Sequence, residues 1–409
     1  MSREPVQRKR EKRNKKHIDP YPVHALRRVD RPTTRIIDTE IKRVDERSGG
    51  FYQAKIGAFG PFLAKEYERF VSKHPLSGAL DTMTGFLGQL VDFEPRLAVR
   101  DGHTAWGATS WSPMPEKSRR RAPGTEDPLR MARHIKETAY FLRADLVGIC
   151  ELPPYAVFSN RNFDGLSVEL DHKYAIAILV DQDWPTAEAF NGNDWISNSM
   201  SLLSFSHTAF LSCILADYIR RLGYNARAHH AMNYQVLVPP LLLWAGLGEM
   251  CRIGDIVLNP FLGPRFKAAV VTTDLPMEVD QPIDFGLQDF CNKCGKCARE
   301  CPSGAISSSA KIMYNGYEKW PNDIEKCTAM RVGNQTGAGC GKCIKVCPWN
   351  KPFTPFHRMI GWSMRNLPFM RRFAVWGDDF MGYGKKDDAQ KWWLDLEHID
   401  GEYQIPEKR

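Results

Sequence analysis

Apolar residues recur at helical spacing across residues 129–142, where Met131, Ile135, Ala139 and Leu142 fall on one face. That period predicts an amphipathic helix. Two short, continuous apolar runs follow, at residues 146–150 and 174–180, and read as buried strands. Residues 199–222 predict a long helix closed by Gly223, a residue suited to the left-handed turn past a helix end. Residues 268–273 give a third strand. Strands and helices in alternation predict an α/β or α+β domain. Upstream, Gly49-Gly50, Gly57 and Gly60-Pro61 interrupt the pattern before a helical stretch at 62–73. Residues 112–128, rich in Pro, Ser and Arg, read as an exposed loop. The most apolar run, 236–247, contains Pro239 and Pro240 and falls short of the roughly 18 apolar residues of a membrane span. No transmembrane segment is therefore predicted.

Composition refines this picture. The chain has 409 residues, of which 43% are hydrophobic, enough for a large core. Its net charge of +8 is uneven. Residues 1–17 hold eight Lys or Arg against Glu4 and Glu11, so six of the eight excess charges sit in one tail. Residues 1–30 read as a disordered basic arm, a patch for an acidic partner or an anionic surface. Nucleic acid is not expected as the partner, because no aromatic or glycine residues interleave the charges. Arginine pairs such as Arg27-Arg28 precede no apolar leader segment, so the expected location is the cytoplasm. Eleven cysteines in that compartment point to metal rather than disulfides.

Eight of those cysteines form two groups. The first is Cys291-x2-Cys294-x2-Cys297-x3-Cys301-Pro302, the bacterial ferredoxin spacing. The second is Cys327-x12-Cys340-x2-Cys343-x3-Cys347-Pro348. In this spacing three thiolates wrap one face of a cubane and the fourth points to a second one. Cys291, Cys294, Cys297 and Cys347 are thus expected to hold one [4Fe–4S] cluster. Cys301, Cys327, Cys340 and Cys343 are expected to hold the other. Zinc would use two separate sets of four and does not favour Cys-Pro endings. Cys150, Cys213 and Cys251 lie in apolar surroundings and read as core thiols. Two clusters pass single electrons, which implies a redox centre elsewhere in the chain. No Gly-x-Gly-x-x-Gly element and no Cys-x-x-Cys-His marks a dinucleotide or haem site.

Several segments together resemble the cobalamin-dependent reductive dehalogenases. They are Arg133 to Glu137, Ala144 to Ile149, Arg221 to Ala226, and Ala245-Gly246-Leu247-Gly248-Glu249 with Arg252 and Gly254. Gly263-Pro264-Arg265, Thr273-Asp274-Leu275-Pro276, Pro282 to Gly286 and Cys347 to Lys351 continue the series, and Tyr383-Gly384 and Trp392-Trp393 resemble the family's tail. The resemblance covers roughly residues 128–395 and implies an α+β fold. Its core would be a nitroreductase-like α/β sandwich at 128–285 holding base-off cobalamin. A ferredoxin-like two-cluster domain would follow at 286–355. An N-terminal extension at 31–127 would wrap the core, and a tail at 356–409 would pack on it. The implied corrinoid contacts are Phe205, Asn233, Gly246, Leu247, Gly248, Glu249, Arg252, Thr273 and Asp274. Gly246 and Gly248 would let backbone approach a flat macrocycle, although a tight turn explains them equally well.

The resemblance implies an enzyme that reduces an organohalide at cobalamin, with electrons from the two clusters. A separate ferredoxin or flavodoxin would supply those electrons. The family's proton-donating tyrosine falls on Phe205, which has no proton to give, and its basic partner falls on Lys267. His207 is then the first candidate acid, with Tyr234, His229 and His230 as alternatives. Arg265 and Lys267 would form a positive patch for an anionic substrate or a leaving halide. Two other readings stay open. One is an epoxyqueuosine reductase-like or other corrinoid reductase. The other is a non-catalytic electron-transfer or corrinoid-carrier protein.

Overall fold

The computed structural model describes residues 20–68, 79–80, 83–84, 121–162, 165–189, 196–231, 233–334, 339–385, 397–400 and 402–404. The basic tail at 1–17, the end of the 62–73 helix, most of the 112–128 loop, Met232 and Trp392-Trp393 lie outside these residues.

A four-stranded sheet organises the core. Its strands are β2 (Leu146–Glu151), β3 (Tyr174–Asp181), β4 (Ala226–His229) and β7 (Phe266–Thr273), in the order β2-β3-β7-β4. Every neighbouring pair is antiparallel, with Gly148 opposite Ala177 and Ala177 opposite Val270. The domain is therefore α+β. Both faces of β3 are buried, which explains why its sequence is a continuous apolar run. Its side chains still alternate. Ala175, Ala177 and Leu179 face α3 (Val238–Trp244), whose Leu241, Leu242 and Leu243 fill that side. Ile176, Ile178 and Val180 face α1 (Pro128–Phe141) and α2 (Ile196–Arg221).

Local chemistry sets the helix ends. Asp127 caps α1 by accepting from the N–H groups of Leu129 and Arg130, and Pro128 fits the first helical turn. Past α2, Gly223 takes φ +92°, the left-handed stop its position predicts. By length and mean hydropathy, 1.4 over its most apolar 18 residues, α2 is long enough to cross a bilayer. It instead packs along β3, β4 and β7 as the core helix of the domain.

The chain start and end attach to the cluster module. Residues 20–30 belong to the fold and not to a loose arm. Tyr21 stacks on Phe261, and β1 (Arg27–Arg28) pairs with β8 (Ile283–Asp284) just ahead of the first cysteines. The C-terminal helices α8 (Pro355–Asn366) and α9 (Met370–Phe380) were expected to lie on the core. They pack on the core and on the cluster module: Met364 joins the main hydrophobic cluster, with Ile360, Ala374 and Val375 against it, while Arg371 pairs with Asp289 and the buried Asp378 pairs with both Lys296 and Lys351.

Ile178 is fully buried. Ile178→Ala should lower unfolding free energy by about 2–5 kcal/mol. Phe141, 81% exposed at the end of α1, should tolerate Ala within about 0.5 kcal/mol. Denaturant unfolding of the two variants checks both.

Candidate functional site

The cysteines come from short helices joined by left-handed glycines. Cys291 and Cys294 sit on α4 (Leu287–Cys294), and Gly295 at φ +61° turns the chain into α5 (Lys296–Arg299), which carries Cys297. Cys327 sits on α6 (Ile324–Gly333), and Gly341 at φ +74° opens α7 (Lys342–Lys345), which carries Cys343. Cys291, Cys294, Cys297 and Cys347 line one small cavity. Cys301, Cys327, Cys340 and Cys343 line a second, larger cleft. The structure thus sorts the eight thiols into the crossed sets that the spacing predicts. Among the described residues, no three His, Cys, Asp or Glu side chains converge closely enough for a single ion. The thiols surround a space, which suits a cubane and not a tetrahedral zinc with bonds of about 2.3 Å. Burial pushes the Cys291, Cys343 and Cys347 thiols up, so cluster assembly must displace protons. Burial also raises Cys301, but hydrogen bonds from the Ser303 hydroxyl and neighbouring backbone N–H groups outweigh it and bring that thiol down.

Most of the expected corrinoid contacts turn out to hold the protein together. Gly246 has φ +66°, and an added Cβ would meet the Gln281 carbonyl at 2.3 Å. A Cβ on Gly248 would meet the Leu258 carbonyl at 2.3 Å. The glycines admit protein backbone and not a macrocycle, and Leu247 between them is buried core. The buried Glu249 carboxylate accepts from the N–H groups of Phe285 (2.7 Å) and Leu287 (3.3 Å) and from the Thr33 hydroxyl (2.5 Å). It thereby fixes the start of α4. Arg252 donates to the carbonyls of Cys291, Ser307 and Ser309, each at 3.1 Å, and lies over the Trp320 ring. It braces the first cluster loop. The Thr273 hydroxyl donates to the Asn225 carbonyl, and Asp274 accepts from the Asn225 N–H, which joins the end of β7 to the start of β4.

The cleft at the second cysteine set opens toward α2 and β7. Lys267 lines it, together with Gln182 and Ser201. The Lys267 ammonium lies 4.8 Å from the centre of the Phe205 ring. These are the two positions that the resemblance pairs, and the structure brings them together. Burial pushes the Lys267 amine from 10.5 down to about 7, with Arg331 adding repulsion and the Cys343 thiol opposing the shift. Two buried amide atoms lack a hydrogen-bond partner, Gln182 Oε1 in this cleft and Asn233 Nδ2. An unpaired buried polar atom costs about 1–3 kcal/mol, so both fit a bound polar group. The Oδ1 atom of Asn233 is already held by Arg227 at 2.6 Å.

The other candidate acids lie elsewhere. His207 is exposed, two residues along α2 from Phe205 and so on the opposite face, where it bears on Asp145. The Tyr234 hydroxyl donates to the Ala268 carbonyl at 2.7 Å, and burial pushes its phenol up. Burial, then Arg227, holds His229 well below the usual range, and its Nε2 bonds the Thr272 hydroxyl. His230 Nδ1 bonds the Ala231 carbonyl. Arg265 is not a free cation. Its guanidinium forks onto Asp181 at 2.7 and 3.0 Å and donates to Asn350 at 2.6 Å. The positive patch therefore reduces to Lys267, with Arg331 nearby. Gln182, Ser201 and Arg331 were not singled out in the sequence. The small polar residues at the start of the otherwise apolar α2 were the available signal.

A 4Fe-4S dicluster domain model matches residues 290–351. The chain is 28% identical over 343 residues to the tetrachloroethene reductive dehalogenase of Sulfurospirillum multivorans, covering 73% of this chain and 67% of that one. A solved catabolic reductive dehalogenase, NpRdhA in complex with 3-bromo-4-hydroxybenzoic acid, superposes with a TM-score of 0.84 at 40% identity. That match covers 97% of this chain but only 55% of the solved one, so the chain spans about half the length of that relative. The epoxyqueuosine reductase of Escherichia coli is 28% identical over 160 residues, or 34% of this chain and 38% of its own.

Two predictions follow from the geometry. Cys347→Ser should remove one cluster and leave the other, lowering iron from about eight to about four atoms per chain. Iron analysis and the EPR spin count of the reduced protein check this. Arg265→Leu should cost about 3–5 kcal/mol in stability, because Asp181 is left without its charge partner. Thermal unfolding reads that loss.

Proposed function

Because this chain belongs to the cobalamin-dependent reductive dehalogenase family, we propose that it reduces an organohalide in the cleft between Lys267 and the second cysteine set. The carrying observation is the Lys267–Phe205 contact, in which Lys267 lines the same cleft as four cluster cysteines. Overall, the organohalide takes up two electrons and one proton and yields a carbon–hydrogen bond and a halide ion. When bound, cobalamin would supply the low-valent cobalt that gives electrons to the carbon–halogen bond. Gln182 has a free amide oxygen in the cleft to hold its polar edge. The antiparallel sheet, with α1 and α2 on one face and α3 on the other, supports a nitroreductase-like description of the core.

The chain's own work is to conduct electrons, exclude water and deliver a proton. The crossed cysteine sets place two one-electron carriers side by side. An external donor, a reduced ferredoxin or flavodoxin, supplies the electrons one at a time. Lys267 is the proton source that the geometry favours. Phe205 carries no proton, Tyr234 gives its proton to a backbone carbonyl, and His207 faces outward. An amine brought near neutrality by burial is matched to proton delivery at physiological pH. Its cationic form also attracts the departing halide.

Halide release from a panel of aryl and alkyl halides, with reduced and cobalamin-loaded protein, tests the proposal. Lys267→Met should lower kcat by about 10²–10⁴-fold, the usual share of a general acid. His207→Ala should leave the rate unchanged. Cobalt that cycles while no halide appears would refute the dehalogenase reading and favour a carrier. Release of queuosine from its epoxide precursor would favour the epoxyqueuosine reductase-like reading.

A further inference from the structure

The helices α8 and α9 pack on each other and against the cluster module, and among the described residues they leave a broad aromatic face exposed. Trp362 is 53% exposed, Phe373 63%, Trp376 65% and Phe380 77%. Trp376 and Phe380 stack face to face at 5.3 Å. Phe356 and Met359 continue the surface into a groove between the helices. Contiguous exposure of so many large apolar side chains is unusual on a monomer surface and marks an interaction site.

The charges around this face indicate what covers it. Arg358, Arg365 and Arg372 border the aromatic residues, and none of them takes part in an ion pair between described residues. The acidic residues of α9 are already used. Asp378 is buried between Lys296 and Lys351, and Asp379 pairs with Lys296 and Arg299. Among the described residues the surface is therefore aromatic with a cationic border that has no acidic partner, Arg358 and Arg365 lying over the Phe353 and Phe261 rings. The chain start adds to this charge. Pro22 and Ala25 line the same groove, and Tyr21 packs on Phe353 at 5.0 Å. The described chain thus begins beside this groove, directly after a stretch that carries eight Lys or Arg in residues 1–17 of the sequence.

From this arrangement we infer that the α8–α9 face docks on an anionic lipid surface. Trp and Phe fit the headgroup level, and arginines with a basic tail add electrostatic attraction to acidic lipids. A second copy is the poorer occupant. Two such faces brought together by two-fold symmetry would set unpaired arginines against arginines. Docking of this kind lays the helices in the interface and needs no membrane-spanning segment.

The test is co-sedimentation of the full, cluster-loaded chain with vesicles. One set contains roughly 30% phosphatidylglycerol in phosphatidylcholine, the other phosphatidylcholine alone. The expected result is binding to the anionic vesicles that is about 10-fold or more tighter than to the neutral ones and weakens with salt. The double variant Phe373→Ser/Trp376→Ser, with the basic tail intact, should lose about 10-fold or more. Arg358→Gln/Arg372→Gln should lose about 5-fold per arginine on anionic vesicles only. Iron content and cluster absorbance confirm that each variant is folded. Absence of binding to anionic vesicles would overturn the inference, as would full binding by the aromatic double variant. A dimer in sedimentation equilibrium that Phe373→Ser/Trp376→Ser dissolves, without vesicle binding, would assign the face to a second copy.

Discussion

Arg265 carries a charge that is almost wholly withdrawn from water, and its guanidinium joins three parts of the molecule. Two of its donors grip Asp181 at the end of the central strand β3. A third reaches Asn350, three residues beyond the cluster ligand Cys347. The sheet and the end of the cluster module are therefore held in one register by a single planar fork, which lysine could not reproduce. A buried pair of this kind adds little net stability over a well-packed apolar substitute. Its value is geometric. It fixes where the end of the cluster module, with Cys347, lies relative to Lys267, two residues on from Arg265.

A parallel brace acts at the other end of the module. Glu249 holds the first N–H groups of the α4 entry, and Arg252 holds three carbonyls around the first cysteine loop. Both residues belong to the short segment between α3 and β6 (Val257–Leu258), Glu249 on β5 (Glu249–Met250) and Arg252 just after it, and the glycines of this segment allow backbone carbonyls to approach within van der Waals distance. The core, the two cysteine sets and the cleft are thus braced to one another by buried side chains.

The sequence revealed the elements and the cysteines for physical reasons. Period-3.6 and continuous apolar runs predicted α1, α2, β2, β3 and β7 within a few residues, because each packs on a core that demands that pattern. The x2-x2-x3 spacing revealed the crossed ligand sets, because thiolates on a tight loop have few ways to surround a cubane. The roles of Gly246, Gly248, Glu249, Arg252 and Arg265 were not legible. Each is explained by an atom distant in sequence, such as the Gln281 and Leu258 carbonyls or the Asn350 amide, and no local pattern reports such partners. Phe205 and Lys267 were paired through resemblance alone, and the 4.8 Å contact gives that pairing a physical content. His207 looked suitable by composition but lies on the wrong side of the helix, since two residues along α2 turn the side chain by about 200°.

The central claim is that a cobalt centre sits in the cleft beside the second cluster. EPR of protein reconstituted with iron and cobalamin, poised so that cobalt(II) and a reduced cluster coexist, tests it most directly. The expected result is a cobalt(II) signal without nitrogen hyperfine splitting, broadened by the neighbouring cluster and sharpened when Cys343→Ser removes it. A cobalt signal identical to that of free cobalamin, unaffected by the Cys343→Ser change, would contradict it.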